Sequence, residues 1–313
     1  MPEELRGIIS AAFVKEQNAW NINLINSACP FLSENGLCSL QMQFGEEILS
    51  ATCAMYPRVS VFNNSVLTRG CYTSCPEVLR ILFTDENAFE INLRTVQIRG
   101  NTVEFKAVLC ENEADFAKNP ALALRNELFG LFFDIISEKS AGIETNLAIG
   151  AAATKTLSEV NENELPEALE WLAKRLDETD FLEEREFMGK PLAGELFAEL
   201  FGERFENHDE RRLAEIFSGR EYFFRNLAKN LLFELKMPFY LKERGIFENF
   251  LVYGAAVSLA ELLAAACAVD GSAELVLERL AELDRTTAHN KNAAERILAF
   301  LKKSDFSGTI CSL

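Results

Sequence analysis

The apolar positions along this chain change rhythm twice, and the changes divide it into regions. Leu5, Ile8, Ile9, Ala12 and Phe13 recur at helical spacing, which predicts an amphipathic helix over 3–18. From Trp20 to Pro76 that rhythm is broken by Pro30, Gly36, Pro57, Gly70 and several asparagines, so the stretch reads as loop-rich with one short helix over 45–55. Between Ile91 and Leu109 the apolar residues partly alternate on either side of Arg99-Gly100-Asn101-Thr102, the pattern of a small β-hairpin.

From Ala121 onward the period is helical almost throughout. Helices are predicted over 122–136, 147–160, 166–176, 192–201, 211–217, 222–235, 247–269 and 273–301. Pro166 suits a first helical turn, where no backbone N–H is needed, and Pro238 ends the helix before it. The phenylalanines at 129, 132, 133, 223, 224 and 233 fall at helical spacing and read as core. The acidic run at 159–167 reads as a solvated boundary between helices. The expected fold is therefore mainly α. An irregular cysteine-rich region (1–90) and a mixed connector with a small hairpin (91–120) precede a multi-helix body (121–301) and a tail (302–313).

Composition narrows the function classes. With 313 residues, 49% of them hydrophobic and 25 of them phenylalanine, the chain can fill a sizeable core. Its 48 acidic against 31 basic residues give a net charge of -17, a field that repels phosphate backbones and anionic membrane surfaces. The longest apolar run, 254–269, contains Glu261 and reads as a buried helix rather than a membrane span. The opening Met-Pro-Glu-Glu-Leu-Arg lacks the pattern of a secretory signal, so a cytoplasmic location is expected, where thiols stay reduced.

Eight cysteines then call for an explanation other than disulfides. Cys29, Cys38, Cys53, Cys71 and Cys75 cluster early; Cys110, Cys267 and Cys311 are scattered and read as small buried residues or, for Cys311, a tail thiol. Thiolates suit zinc and iron-sulfur clusters, because polarisable sulfur matches those ions. The intervening stretches of eight, fourteen, seventeen and three residues include no pair two residues apart, so spacing alone leaves open a metal site or unliganded thiols.

The flanking residues are more specific. Cys29-Pro30-Phe31-Leu32, Gly36-Leu37-Cys38, Thr52-Cys53-Ala54-Met55-Tyr56-Pro57-Arg58 and Ser74-Cys75-Pro76-Glu77 resemble, in order and separation, flagellin lysine N-methylases, and the first three resemble a wider group of cysteine-rich zinc- or iron-chelating proteins. Tyr222-Phe223-Phe224-Arg225-Asn226, Met237-Pro238-Phe239 and Asp284-Arg285-Thr286-Thr287-Ala288-His289-Asn290 resemble later elements of the same family. An upstream Cys-Cys block usual in the family is absent, and the first methionine falls inside an apparent helix, as in a truncated product.

The resemblance implies methyl transfer from S-adenosylmethionine to lysines of flagellin, by a protein with a four-iron four-sulfur cluster or zinc. Cys29, Cys38, Cys53 and Cys75 are the implied ligands, with Cys71 ranked below them. His289 is the candidate proton acceptor, since methyl transfer needs a neutral amine, although a lone helical histidine is also a common structural residue. Arg58, Asn226, Arg285 and Asn290 are candidate cofactor contacts, and Arg58 has an ion pair with Glu77 as its alternative. His208, in a polar stretch, reads as a solvated loop residue. No glycine-rich strand-to-helix turn marks a nucleotide pocket. Two other classes stay open: a non-enzymatic metal-binding protein, and an inactive helical interaction module.

Overall fold

The computed structural model describes the chain apart from residues 1–6, 8, 11, 17–18, 26–27, 35–36, 64–65, 90–106, 111–119, 177–185, 206, 242, 270, 288–289, 307–309 and 311–313. It falls into two compact units, Met1–Tyr56 and Pro57–Leu313.

The first unit is built from short pieces. Residues 7, 9, 10 and 12 are helical, but the helix expected over 3–18 stops there: β1 (Phe13–Glu16) pairs antiparallel with β2 (Ala19–Ile22), Phe13 opposite Ile22. Beyond Phe13 the apolar positions no longer recur at helical spacing, so nothing in the pattern carries the helix on through the strand pair. Bridges between Ile25 and Ala28 and between Leu32 and Cys38 fold the next loop. Then come α1 (Ser39–Phe44), a 3-10 turn (Glu46–Ile48) and α2 (Ala51–Met55). The expected single helix over 45–55 is split because Ser50 caps the second piece, its hydroxyl accepting from the Cys53 N–H at 3.2 Å. Among its described residues only Ala12 and Phe31 are buried.

The second unit opens with a hairpin that the sequence reading treated as loop. In β3 (Arg58–Asn63) and β4 (Val66–Cys71), Val59 and Val61 alternate inward and are buried. The hairpin expected over 91–109 lies largely outside the described residues, but β5 (Ala107–Cys110) joins β3 in parallel, giving the order β4-β3-β5. After Cys75, Pro76 opens α3 (Pro76–Thr84) at a position that needs no N–H.

The body is helical, as expected. It comprises α4 (Pro120–Ala123), α5 (Arg125–Ser137), α6 (Ile143–Glu159), α7 (Leu165–Leu176), α8 (Gly189–Phe201), α9 (Glu210–Ile216), α10 (Tyr222–Glu234), α11 (Ile246–Ala268), α12 (Ala273–Thr287) and α13 (Lys291–Lys303). The apolar run at 254–269 belongs to α11, which is buried along nearly its whole length among α6, α8, α9, α10, α12 and α13. Two glycines permit that packing. A Cβ on Gly150 would lie 2.2 Å from the Phe250 ring, and one on Gly254 would lie 2.5 Å from Phe187. The phenylalanines read as core are core: Phe129 meets Phe233 edge-on at 4.6 Å, and Phe132 meets Phe250 at 5.3 Å.

The helix expected over 273–301 is two helices. Asn290 caps the second, its side chain accepting from the Asn292 N–H at 3.0 Å, and a cap requires the chain to leave helical geometry just before it.

Candidate functional site

The polar face of α10 organises the second unit. Tyr222, Asn226, Asn230 and Glu234 follow one another every four residues and therefore share a face. Each holds backbone of the segment that runs from β4 through α3. The Tyr222 hydroxyl donates to the Phe83 carbonyl at 3.1 Å, and Asn226 Nδ2 donates to the Glu86 carbonyl at 3.0 Å. Asn230 brackets Cys71, donating to its carbonyl at 2.6 Å and accepting from its N–H at 3.4 Å. Glu234 Oε2 accepts from both the N–H and the hydroxyl of Thr73, at 2.9 and 3.1 Å. Arg225 caps the other side, with Nη1 donating to the Ile136 carbonyl at the end of α5 and Nη2 to the Ala141 carbonyl in the loop that follows.

At the end of this ladder lies an acidic cluster. Glu234 and Asp284 are both buried, and their carboxyl groups are hydrogen-bonded to each other. Burial first, then the charge of Asp284, pushes Glu234 well above the usual carboxylate range. Two tyrosines feel the same field. Burial raises Tyr72, helped by Glu234 and Asp284, and Tyr240 is pushed up to about 12 by burial and the same two carboxyls. Asp284 and Thr73 line a small pocket, partly open to solvent, whose other walls are Leu227, Leu231, Ala256, Ala260, Leu280, Leu283 and Thr287.

The candidates from sequence separate into groups. Arg285 donates to the Ser74 carbonyl at 3.4 Å, so α12 does fold back onto the segment that carries Cys75. Asn226 and Asn290 are occupied by structural hydrogen bonds, the first with the loop after α3 and the second as a cap. Arg58 lies opposite Cys71 across the β3-β4 ladder; burial pushes the Cys71 thiol up, and the Arg58 guanidinium opposes that. Glu77 is gripped by Arg80 at 2.6 and 2.7 Å, an exposed pair one helical turn apart. His208 is exposed in a loop, as expected. His289 lies outside the described residues, as do Cys311 and the side chain of Cys110.

The cysteines divide between the units: Cys29, Cys38 and Cys53 in the first, Cys71 and Cys75 in the second. Among the described residues, no three His, Cys, Asp or Glu side chains form a group able to hold a metal ion. Cys267 is half-buried against the core, in keeping with a packing role.

Sequence reasoning missed Glu234, Thr73, Tyr72 and Tyr240, and it quoted Asp284 without a role. The signal that could have found Glu234 is its place as the fourth rung, after Tyr222, Asn226 and Asn230, on a helix whose other inward positions are apolar.

A helical body with a mostly apolar pocket lined by the buried carboxyl group of Asp284 defines a site suited to a cation carried on an apolar stem. Residues 185–309, which supply every lining residue but Thr73, match the family model described as the FliB lysine N-methylase C-terminal domain. Relatives include a Lysine-N-methylase of Salmonella typhimurium and one of Salmonella choleraesuis, each 29% identical over 85 residues, which is 26% of this chain and 21% of the relative. A Flagellar biosynthetic protein FliU of Salmonella muenchen is 30% identical over 80 residues, 25% of this chain and 47% of that protein. The aligned part thus spans between about a fifth and a half of the length of these relatives. No solved structure matches the chain.

Proposed function

We propose that this protein is a lysine N-methyltransferase that acts on flagellin in the cytoplasm with S-adenosylmethionine as methyl donor. The observation that carries the reading is that the segment matching the lysine N-methylase family model also builds most of the pocket that Asp284 lines.

The chemistry asks two things of the protein. A lysine amine is protonated in water and becomes a nucleophile only after losing that proton. Leucines and alanines along the pocket wall lower the local dielectric, which disfavours the ammonium form, and a carboxyl group at its end accepts the proton. Asp284 lines the pocket and is the group placed for this, and the Glu234 carboxyl, whose ionisation burial opposes, is hydrogen-bonded to it. Thr73 fixes Glu234 from the opposite side. S-adenosylmethionine supplies a methyl group on a sulfonium sulfur: the carbon–sulfur bond breaks as the carbon–nitrogen bond forms, and S-adenosylhomocysteine leaves.

The pocket is small and its walls are mostly apolar, which suits the narrow stem of a lysine side chain better than an adenosyl group. An iron-sulfur or zinc centre on Cys29, Cys38, Cys53 and Cys75, with Cys71 as a further ligand, belongs to the same proposal. The donors have suitable chemistry, but no three of them converge among the described residues, so no reaction step is drawn through a metal. Incubation of the anaerobically purified protein with labelled S-adenosylmethionine and flagellin tests the reading. Label on lysine nitrogens of flagellin supports it, and a metal-containing protein that never transfers label contradicts it.

A further inference from the structure

Glu234 is the last residue of α10 and is only 3% exposed. Leu231, Leu232, Phe233 and Leu235 around it are buried, so an apolar residue would satisfy the core at this position. A carboxyl group there is unfavourable on two counts. Burial opposes its charge, and in the last turn of a helix so does the negative end of the dipole.

Its contacts show what it does instead. Oε2 accepts from the N–H and the hydroxyl of Thr73, at 2.9 and 3.1 Å, and the carboxyl group is hydrogen-bonded to that of Asp284. Among the described residues, Thr73 and Asp284 line the pocket and Glu234 does not. Glu234 therefore stands behind the wall and ties together two wall residues from different elements, Thr73 from the turn between β4 and α3 and Asp284 from α12. Arg285 fastens the same two elements by donating to the Ser74 carbonyl at 3.4 Å. A hydrogen bond between two carboxyl groups needs a proton on one of them, so the bonded pair does not set two adjacent negative charges beside the pocket.

We propose that Glu234 is a positioning residue of the methyl-transfer site: it stays out of contact with substrate and holds the Asp284 carboxyl group in the orientation from which it accepts the lysine proton. Thr73, donating twice to Oε2, sets the plane of the Glu234 carboxyl group, and Glu234 passes that constraint on to Asp284. The inference rests on the functional reading above and adds to it a residue that acts only through another.

The test measures kcat and KM for methyl transfer from S-adenosylmethionine to flagellin by the full chain. The proteins compared are wild type, Glu234→Met, Glu234→Gln, Asp284→Asn and the double variant Glu234→Met/Asp284→Asn, each checked for its fold by near-UV circular dichroism. Glu234→Met, which fills the volume but makes no hydrogen bond to Asp284, should lower kcat about 10- to 100-fold, the effect of misplacing a reacting group, with KM for S-adenosylmethionine unchanged. Glu234→Gln, whose amide accepts from Thr73 and donates to Asp284, should recover most of that loss. In the double variant the Glu234→Met change should lower kcat no further, because Asp284→Asn has already removed the group through which it acts. If Glu234→Met does not fold, Thr73→Val, which keeps the volume and the N–H but loses the hydroxyl, enters the same cycle: a loss of kcat that disappears in the Asp284→Asn background upholds the proposal. With Asp284→Asn impaired, losses that add in the double variant, a Glu234→Gln no better than Glu234→Met, or a folded Glu234→Met with the wild-type kcat overturn this inference alone. A wild type that transfers no methyl group, or an Asp284→Asn that transfers at the wild-type rate, overturns the functional reading and this inference together.

Discussion

Glu261, the one charged residue in the apolar run of α11, shows what a buried carboxyl group does here. Burial, and then the nearby charge of Glu144 on α6, pushes it up to about 8, against a smaller opposing pull from Lys190 on α8. Below its ordinary pKa of about 4.5 both the folded and unfolded chains bind its proton. As pH rises from there to about 8, the unfolded chain sheds a proton that the folded chain must keep, and stability declines until the folded group ionises as well. Glu261→Gln, which cannot ionise, should therefore flatten the fall in urea midpoint between about pH 5 and about pH 8, and should be more stable than the wild type at the upper end. A decline of unchanged slope would show that other groups set it. Glu234 obeys the same physics with a different consequence, because its carboxyl group is hydrogen-bonded to one that lines a pocket.

At the scale of elements, the polar ladder of α10 fastens the β4–α3 segment to the body. Asn230→Ala would leave the Cys71 N–H and carbonyl without their side-chain partner and should cost about 1–3 kcal/mol, read by chemical denaturation, with faster hydrogen exchange confined to β4. Gly150→Ala puts a methyl group into the Phe250 ring and should cost about 1–3 kcal/mol through overpacking of α6 on α11. How much of this was legible follows from its physical origin. Helices with a long apolar stripe, such as those around Phe129 and Phe223, announce themselves by period, and their ends agree with the pattern to within a few residues. The β3-β4 hairpin did not, because only Val59 and Val61 are apolar residues buried from it. The break at Asn290 was hidden because apolar spacing runs on through it and one side-chain hydrogen bond decides it. The acidic pocket was least legible: Thr73, Glu234 and Asp284 are far apart in sequence, and only the fold brings them together.

At the scale of the whole molecule, the two units contribute different chemistry: the first carries Cys29, Cys38 and Cys53, and the second carries Cys71, Cys75 and the pocket. If the cysteines named by family resemblance hold a metal, Cys29→Ser and Cys75→Ser should each lower metal and sulfide content after anaerobic purification, while Cys267→Ser, whose thiol packs against the core, should not. Equal loss in all three would point to damaged folding instead. The central claim is narrower: the pocket closed by Asp284 receives the lysine and takes its proton. It is tested most directly by kcat/KM for methyl transfer from S-adenosylmethionine to flagellin, measured for wild type and Asp284→Asn alongside near-UV circular dichroism. The account predicts an intact fold with kcat/KM reduced by about 100-fold or more and restored in part at high pH, where lysine loses its proton unaided. A folded Asp284→Asn protein that methylates flagellin at the wild-type rate, with the wild-type pH profile, would contradict it.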